Sequence, residues 1–272
     1  MSANSKKKPE DGSKSSPLKF SKLDQDLILL DVLKRAGLAP KDADRSFLVA
    51  HDVELSTELE EEYHAMLDRR KNGEPLAYIL GFREFYGREF KTDSRALVPR
   101  PETEDIIEFV KDLDGNFYDI GTGTGCIAIT LKLENPTRKV TAIDISEDAL
   151  SLAKENANSL GADIEFIKND LIEGLSIQEN SIIIANLPYV DRGWDWIDEK
   201  TLEFEPDTAL YAENEGLEII LELLDQISEL SRPQTIILEA DPCQHQKIID
   251  YAEKLGMKLD KISNFIVKLN YD

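Results

Sequence analysis

Between Phe117 and Ile129 the chain reads Phe-Tyr-Asp-Ile-Gly-Thr-Gly-Thr-Gly-Cys-Ile-Ala-Ile. An apolar run carries Asp119 to the edge of a loop in which Gly121, Gly123 and Gly125 alternate with Thr122 and Thr124. Glycines at that spacing let a backbone turn sharply and approach a ligand where a Cβ would clash. A dinucleotide site would read G-x-G-x-x-G and seat a pyrophosphate on the helix N-terminus. Here the pattern is one residue shorter, and the acidic residue before it would repel phosphate. A carboxylate in that place suits a ligand with positive charge or amine donors. S-adenosylmethionine carries both, in its sulfonium and ammonium groups. A glycine-rich turn that binds nothing is the plainer reading, and Asp144 weighs against it. That residue ends the next apolar run, 21 positions beyond Gly123, where a carboxylate accepts the hydroxyls of a ribose. Asp170, with Leu171 beside it, could accept from an adenine amine while the leucine covers the ring.

Asn186-Leu187-Pro188-Tyr189 is the stretch best suited to catalysis. A primary amide nitrogen is a poor nucleophile, because its lone pair is delocalised into the carbonyl. Fixed acceptors for both of its N–H bonds would hold the nitrogen with its lone pair toward a methyl donor. Asn186 Oδ1 is one such acceptor. The Leu187 carbonyl is the other, aimed by Pro188, which drives the residue before it into the extended region. Tyr189 offers a flat face on which a planar amide or base can stack. No general base is needed, since the methylated nitrogen is strongly acidic until it loses a proton. Catalysis would then be positioning and electrostatics. A proline turn leaving a strand accounts for the same four residues, and each of Asp119, Asp144, Asp170 and Asn186 suits a helix cap. Four such residues at consecutive strand ends point instead to one site.

Strands and helices must alternate to carry them, and from Asn116 they do. Strands are predicted near residues 140–143, 164–167, 181–185, 235–239 and 265–269, with helices near 147–158, 215–230 and 246–255. That pattern predicts an α/β fold, an open, doubly wound Rossmann-like parallel sheet with ligands at the carboxyl ends of its strands. Upstream, Leu23, Leu27, Leu30 and Leu33 recur at helical intervals until Gly37, behind a capping-box spacing of Ser21 and Asp24. With further helical patterns near 42–51 and from Thr57, this predicts a small bundle over 21–73, serving as packing or as a docking module for a macromolecular substrate. Residues 74–97 read as a linker and a hairpin around Gly87, and 98–272 as the domain carrying the glycine loop. Between them, Pro99 and Pro101 fix an extended backbone. A charged segment of that kind commonly lines a site at a domain junction, which makes Arg100 and Glu102 candidate substrate contacts.

Composition narrows the partners. The formal net charge is −22, and the first twenty residues hold five lysines against Glu10 and Asp11, so the rest carries −25. A body that acidic is unsuited to direct nucleic-acid binding, which relies on Lys and Arg neutralising phosphates. Residues 1–20, rich in Lys, Ser, Pro and Gly, are predicted to be a disordered, solubilising tail. Cys126 and Cys243 lie far apart, and His51, His64 and His245 show no metal-ligand spacing, so no metal is expected and a reducing cytoplasm is. No apolar run approaches the ~20 residues of a membrane span. A monomer without membrane association is the expectation.

Several pieces occur together in one order: Pro75-Leu76-Ala77-Tyr78-Ile79-Leu80-Gly81, Leu97-Val98-Pro99-Arg100-Pro101-Glu102-Thr103-Glu104, the glycine loop and Asn186 to Tyr189. Phe204-Glu205-Pro206 with Ala209-Leu210, then Leu238-Glu239 with Gln244, complete the series. From about Leu23 to Leu269 the chain resembles the HemK-type glutamine methyltransferases that modify class I peptide chain release factors. The resemblance implies that residues 98–272 form a methyltransferase domain. It implies that Gly121 to Gly125, Asp144 and Leu171 contact S-adenosylmethionine, and that Asn186 to Tyr189 hold the glutamine of a Gly-Gly-Gln tripeptide. Two departures stand out: Leu187 replaces the first of two usual prolines, and an Asp-x-x-Gly-x-x-Arg pattern expected near 262–265 is missing. The chief rival is a methyltransferase acting on the exocyclic amine of adenine in RNA or DNA, since Asn-Leu-Pro-Tyr also resembles that of ribosomal RNA adenine dimethyltransferases. A non-catalytic S-adenosylmethionine-binding protein is disfavoured by the intact clamp, and a dehydrogenase by the shortened glycine pattern.

Overall fold

A computed structural model describes residues 21–194, 202–230 and 234–271. The tail expected over residues 1–20 lies outside the described residues. These divide into two compact units, 21–80 with Trp194 and 202–204, and 81–193 with 205–230 and 234–271. The division falls between Leu80 and Gly81, inside the stretch read from the sequence as one linker.

The first unit holds α1 (Lys22–Arg35), α2 (Arg45–Ala50), α3 (Thr57–Lys71) and α4 (Leu76–Leu80). Ser21 Oγ accepts from the Asp24 N–H, and the Asp24 carboxylate accepts from the Ser21 N–H, both at 3.1 Å. This reciprocal cap satisfies two donors that the first turn of α1 would otherwise strand. Ile28 and Val32 of α1 pack on Met66 and Leu67 of α3 and on Ile79 of α4. The last helix replaces part of the expected linker. Pro75 has no N–H to lose at a helix start, and its carbonyl accepts from Tyr78 and Ile79.

The second unit opens with a hairpin, β1 (Phe82–Phe85) and β2 (Arg88–Lys91), turned by Tyr86 and Gly87 at φ 49° and 71°. Two successive positive φ angles match the right-handed twist of the flanking strands. After α5 (Glu104–Val110) come β3 (Asn116–Ile120), α6 (Cys126–Glu134), β4 (Lys139–Asp144) and α7 (Glu147–Leu160). Next are β5 (Glu165–Lys168), β6 (Ser181–Ala185), α8 (Glu218–Ser228), β7 (Gln234–Glu239) and α9 (His245–Lys254). A closing pair follows, β8 (Lys258–Ser263) and β9 (Ile266–Tyr271).

The sheet order is β5-β4-β3-β6-β7-β9-β8. From β5 to β7 all neighbours are parallel, but β9 runs antiparallel to both β7 and β8. The sheet is therefore mixed rather than wholly parallel as expected. Asn264, at φ 49°, turns the chain back on itself, which allows β9 to slot beside β7. Strand β8 had no counterpart in the sequence reading, because it is an exposed edge strand with no buried face to generate alternation. Its Lys and Asp residues are what keep such an edge from pairing with another chain. In contrast, all five residues of β6 are buried, as a strand covered on both faces requires.

Candidate active site

The carboxyl ends of β5, β4, β3, β6 and β7 bring Asp170, Asp144, the glycine loop, Asn186 and Glu239 into one row. The order of connection reverses between β3 and β6, the place where an open α/β sheet leaves a crevice. A cleft of about 470 Å³ lies there. Its wall includes Gly121 to Thr124, Asp144, Asp170, Leu171, Asn186, Leu187, Pro188 and Arg100.

Asp144 is nearly buried, and its carboxylate organises the loop. Oδ2 accepts from the Gly123 N–H at 2.9 Å and Oδ1 from the Ser146 N–H at 2.8 Å. Burial raises its pKa despite those bonds. Each oxygen keeps a lone pair for a further donor, as a ribose diol needs. Beside it Ile145 is 60% exposed on the cleft wall, an apolar surface suited to a planar ring. Leu171 faces the same cleft at φ 47°, costly for a bulky residue. Asn169 Nδ2 donates to the Asp170, Leu171 and Glu173 carbonyls and holds that turn. These features fit S-adenosylmethionine: a carboxylate for the ribose, apolar walls for adenine, and a glycine loop on the cleft wall.

Four of the expected residues do not reach the wall. Asp119 is 1% exposed and sits beneath the loop, where Oδ2 accepts from Thr122 Oγ1 at 2.6 Å and from the Ala128 N–H at 3.2 Å. It ties the loop to the first turn of α6, and burial pushes its pKa up to about 6. Gly125, at φ 80°, caps α6 where an added Cβ would meet Ile129 and Ala153, so its role is close helix packing. Glu102 is exposed in the short 3-10 turn Pro101–Thr103. Tyr189 is half-buried, with its hydroxyl 3.4 Å from Glu239 Oε1, and burial beside that carboxylate raises its pKa.

Asn186 Nδ2 donates to Thr103 Oγ1 at 3.1 Å, and among the described residues no donor occupies its Oδ1. Likewise no described residue bonds to the Leu187 N–H or carbonyl. Both oxygens are thus available to a ligand's N–H groups. Gln244 Nε2 donates to the carbonyls of Tyr189 (2.8 Å) and Glu215 (2.9 Å), fixing the exit from the clamp. Arg100 Nη2 pairs at 2.7 Å with Glu205, whose burial raises its pKa. The sequence reading gave no role to Thr103, Glu205, Glu239 or Gln244. Their only signal was membership of the resembling motifs, because each acts on a residue distant in the chain.

Fold and site together define a Rossmann-like methyltransferase that uses S-adenosylmethionine. A family model described as methyltransferase small domain matches residues 102–199, and one described as PrmC N-terminal domain matches 21–81. The chain is 39% identical over 198 residues to the release factor glutamine methyltransferase of Koribacter versatilis, covering 70% of this chain and 71% of that one. It is 36% identical over 226 residues to that of Lactococcus lactis subsp. lactis, covering 80% of each. Among solved structures, a methyltransferase from Pyrococcus furiosus has a TM-score of 0.52 at 18% identity, over 69% of this chain and 89% of that one. The chain belongs to the release factor glutamine methyltransferase family.

Proposed function

We propose that this chain methylates the side-chain amide nitrogen of the Gly-Gly-Gln glutamine in class I peptide chain release factors. The observation that carries the reading is the pair of oxygens at the mouth of the clamp, Asn186 Oδ1 and the Leu187 carbonyl, neither used by any described donor. A primary amide has two N–H bonds, and two fixed acceptors hold both. When bound, S-adenosylmethionine supplies a methyl group on a cationic sulfur. Asp144 and the backbone of Gly121 to Thr124 hold that molecule, with Asp170 and Leu171 at its adenine end. Arg100 borders the acceptor side, where its ion pair with Glu205 braces the segment before α5.

The same reading makes the chain a cytoplasmic monomer that touches its substrate as a protein rather than as nucleic acid. The −25 carried beyond residue 20 supports this, and no helix among the described residues is long and apolar enough to cross a membrane. Asn186→Ala tests the clamp. Turnover on a release factor is expected to fall at least a hundredfold, about 2.7 kcal/mol of barrier, while S-adenosylmethionine affinity by calorimetry changes little. Near-normal turnover in that variant would remove the amide clamp from the mechanism.

A further inference from the structure

The clamp is pinned at both ends, and one pin of the far end is a residue without a side chain. On the near side β6 carries the chain to Ala185, and Asn186 donates to Thr103. Leu187 is kept extended by the proline after it, and the ring of Pro188 fixes its own φ. The freedom that remains lies in the ψ of Pro188 and in Tyr189. Three hydrogen bonds take it up. Gln244 Nε2 donates to the Tyr189 carbonyl at 2.8 Å. The Val190 N–H donates to the Leu210 carbonyl at 3.0 Å, and the Val190 carbonyl accepts from the Ala212 N–H at 3.1 Å. Gly216 lies against the same Tyr189 carbonyl. A Cβ built on it would stand 2.0 Å from that oxygen and 2.6 Å from Gln244 Nε2.

Gly216 stands at φ 78°, the last of three successive left-handed residues after Asn214 and Glu215. That conformation accounts for a glycine only in part, because the two residues before it adopt the same one with side chains in place. The collision is what sets Gly216 apart. We propose that Gly216 is a positioning residue for methyl transfer: its bare Cα is the stop against which the Tyr189 carbonyl rests. Through Pro188, that stop sets where the Leu187 carbonyl points. This rests on the transfer reaction proposed above.

Real Cβ atoms essentially never come within 3.0 Å of such an atom, so a side chain at 216 drives the two segments apart by about 1 Å. The turn has little room to retreat. Gly216 and Leu217 are buried, and Gln244 ties the Glu215 carbonyl to that of Tyr189 on one nitrogen. The clamp therefore yields. A displacement of about 1 Å in a positioning group costs on the order of a hundredfold in rate. Asp144 and the glycine loop, at the ends of β4 and β3, lie outside this path, so the cofactor's own contacts are spared.

Gly216→Ala and Gly216→Asn in the full chain test this. Both add a Cβ, but asparagine accepts the left-handed conformation, so the pair separates collision from backbone strain. Each is expected to slow single-turnover methyl transfer to a saturating release factor by about tenfold or more, with S-adenosylmethionine affinity within about twofold. Sucrose at about 1 M strengthens the folding of either variant. It is expected to raise the melting temperature without restoring the rate, whereas a purely structural glycine would let the rate return with stability. The carbonyl's position has its own readout. Tyr189-Val190 is the only Tyr-Val pair in the chain. Carbonyl carbon-13 tyrosine with nitrogen-15 valine therefore marks that peptide bond alone in NMR, and its signal is expected to move in both variants. A Gly216→Asn protein with the wild-type rate and an unmoved signal overturns the proposal, as does a loss confined to KM or one that sucrose reverses. A wild-type protein that binds S-adenosylmethionine but leaves the release factor unmethylated overturns the transfer reaction itself. Active wild type with silent Gly216 variants overturns the positioning role alone.

Discussion

Leu187 stands where the family usually has a proline, and its side chain reaches across to the glycine loop. A Cβ on Gly121 would meet Leu187 Cδ2 at 2.9 Å, so the two residues fit only because the glycine has none. What the clamp needs from Leu187 is its carbonyl, whose direction Pro188 sets. The Leu187 N–H has no acceptor among the described residues, so a proline there strands nothing. Leu187→Pro is therefore expected to keep methyl transfer within about tenfold, roughly 1.4 kcal/mol. Pro188→Ala should cost more, since it frees the carbonyl itself. Single-turnover rates compare them, and a silent Pro188→Ala beside a dead Leu187→Pro would mean that the side chain does the positioning. Among the single residues, Asp144, Asp170 and Asn186 lie on the cleft wall, and the first and last of them each close an apolar run that is legible in the sequence. Asp119 could not be placed correctly: whether its carboxylate faces ligand or loop depends on Thr122 and Ala128. Thr103 and Asn186 are 83 positions apart, and nothing in the chain's local pattern reports the hydrogen bond between them.

At the level of elements, the sharpest departure is the entry to α8. Helical periodicity from about residue 215 is real, for Ile220, Leu223, Leu224 and Ile227 are all buried. Yet Asn214, Glu215 and Gly216 stand at φ 55°, 60° and 78°. The first two of these cost of order 1–3 kcal/mol each in a left-handed conformation. The compensating contact is Gln244, which gathers the Glu215 and Tyr189 carbonyls on one amide. Its Oε1 also accepts from the Asp241 N–H at 3.0 Å. Periodicity reads the apolar face of a helix but not a knot of carbonyls at its start. Gln244→Ala strands those acceptors at about 1–3 kcal/mol. The expected result is a melting temperature lower by several degrees, measured by calorimetry, with slower transfer from a loosened clamp. An unchanged melting temperature and rate would show that the strained turn holds itself. Strand β8 escaped for the opposite reason, since an edge strand open to water carries no periodic apolar signal.

Over the whole molecule, alternation of strand and helix was enough to place the five parallel strands and the cleft at their carboxyl ends. It could not show the antiparallel insertion of β9, because a strand's sequence records its burial and not its direction. Charge distinguishes the two candidate acceptor classes more sharply than the fold does. Neither the glycine loop nor the clamp separates a glutamine amide from an adenine amine, as both are planar groups with two N–H bonds. In the function proposed above the acidity of the chain favours the protein acceptor, because a body at −25 repels a phosphate backbone. The most direct measurement offers both acceptors together: labelled S-adenosylmethionine, a class I release factor and ribosomal RNA at physiological salt, with the added methyl located by mass spectrometry. The expected result is one methyl group on the amide nitrogen of the Gly-Gly-Gln glutamine and none on the RNA. Methylated adenine in the RNA digest, with the release factor unmodified, would contradict the account.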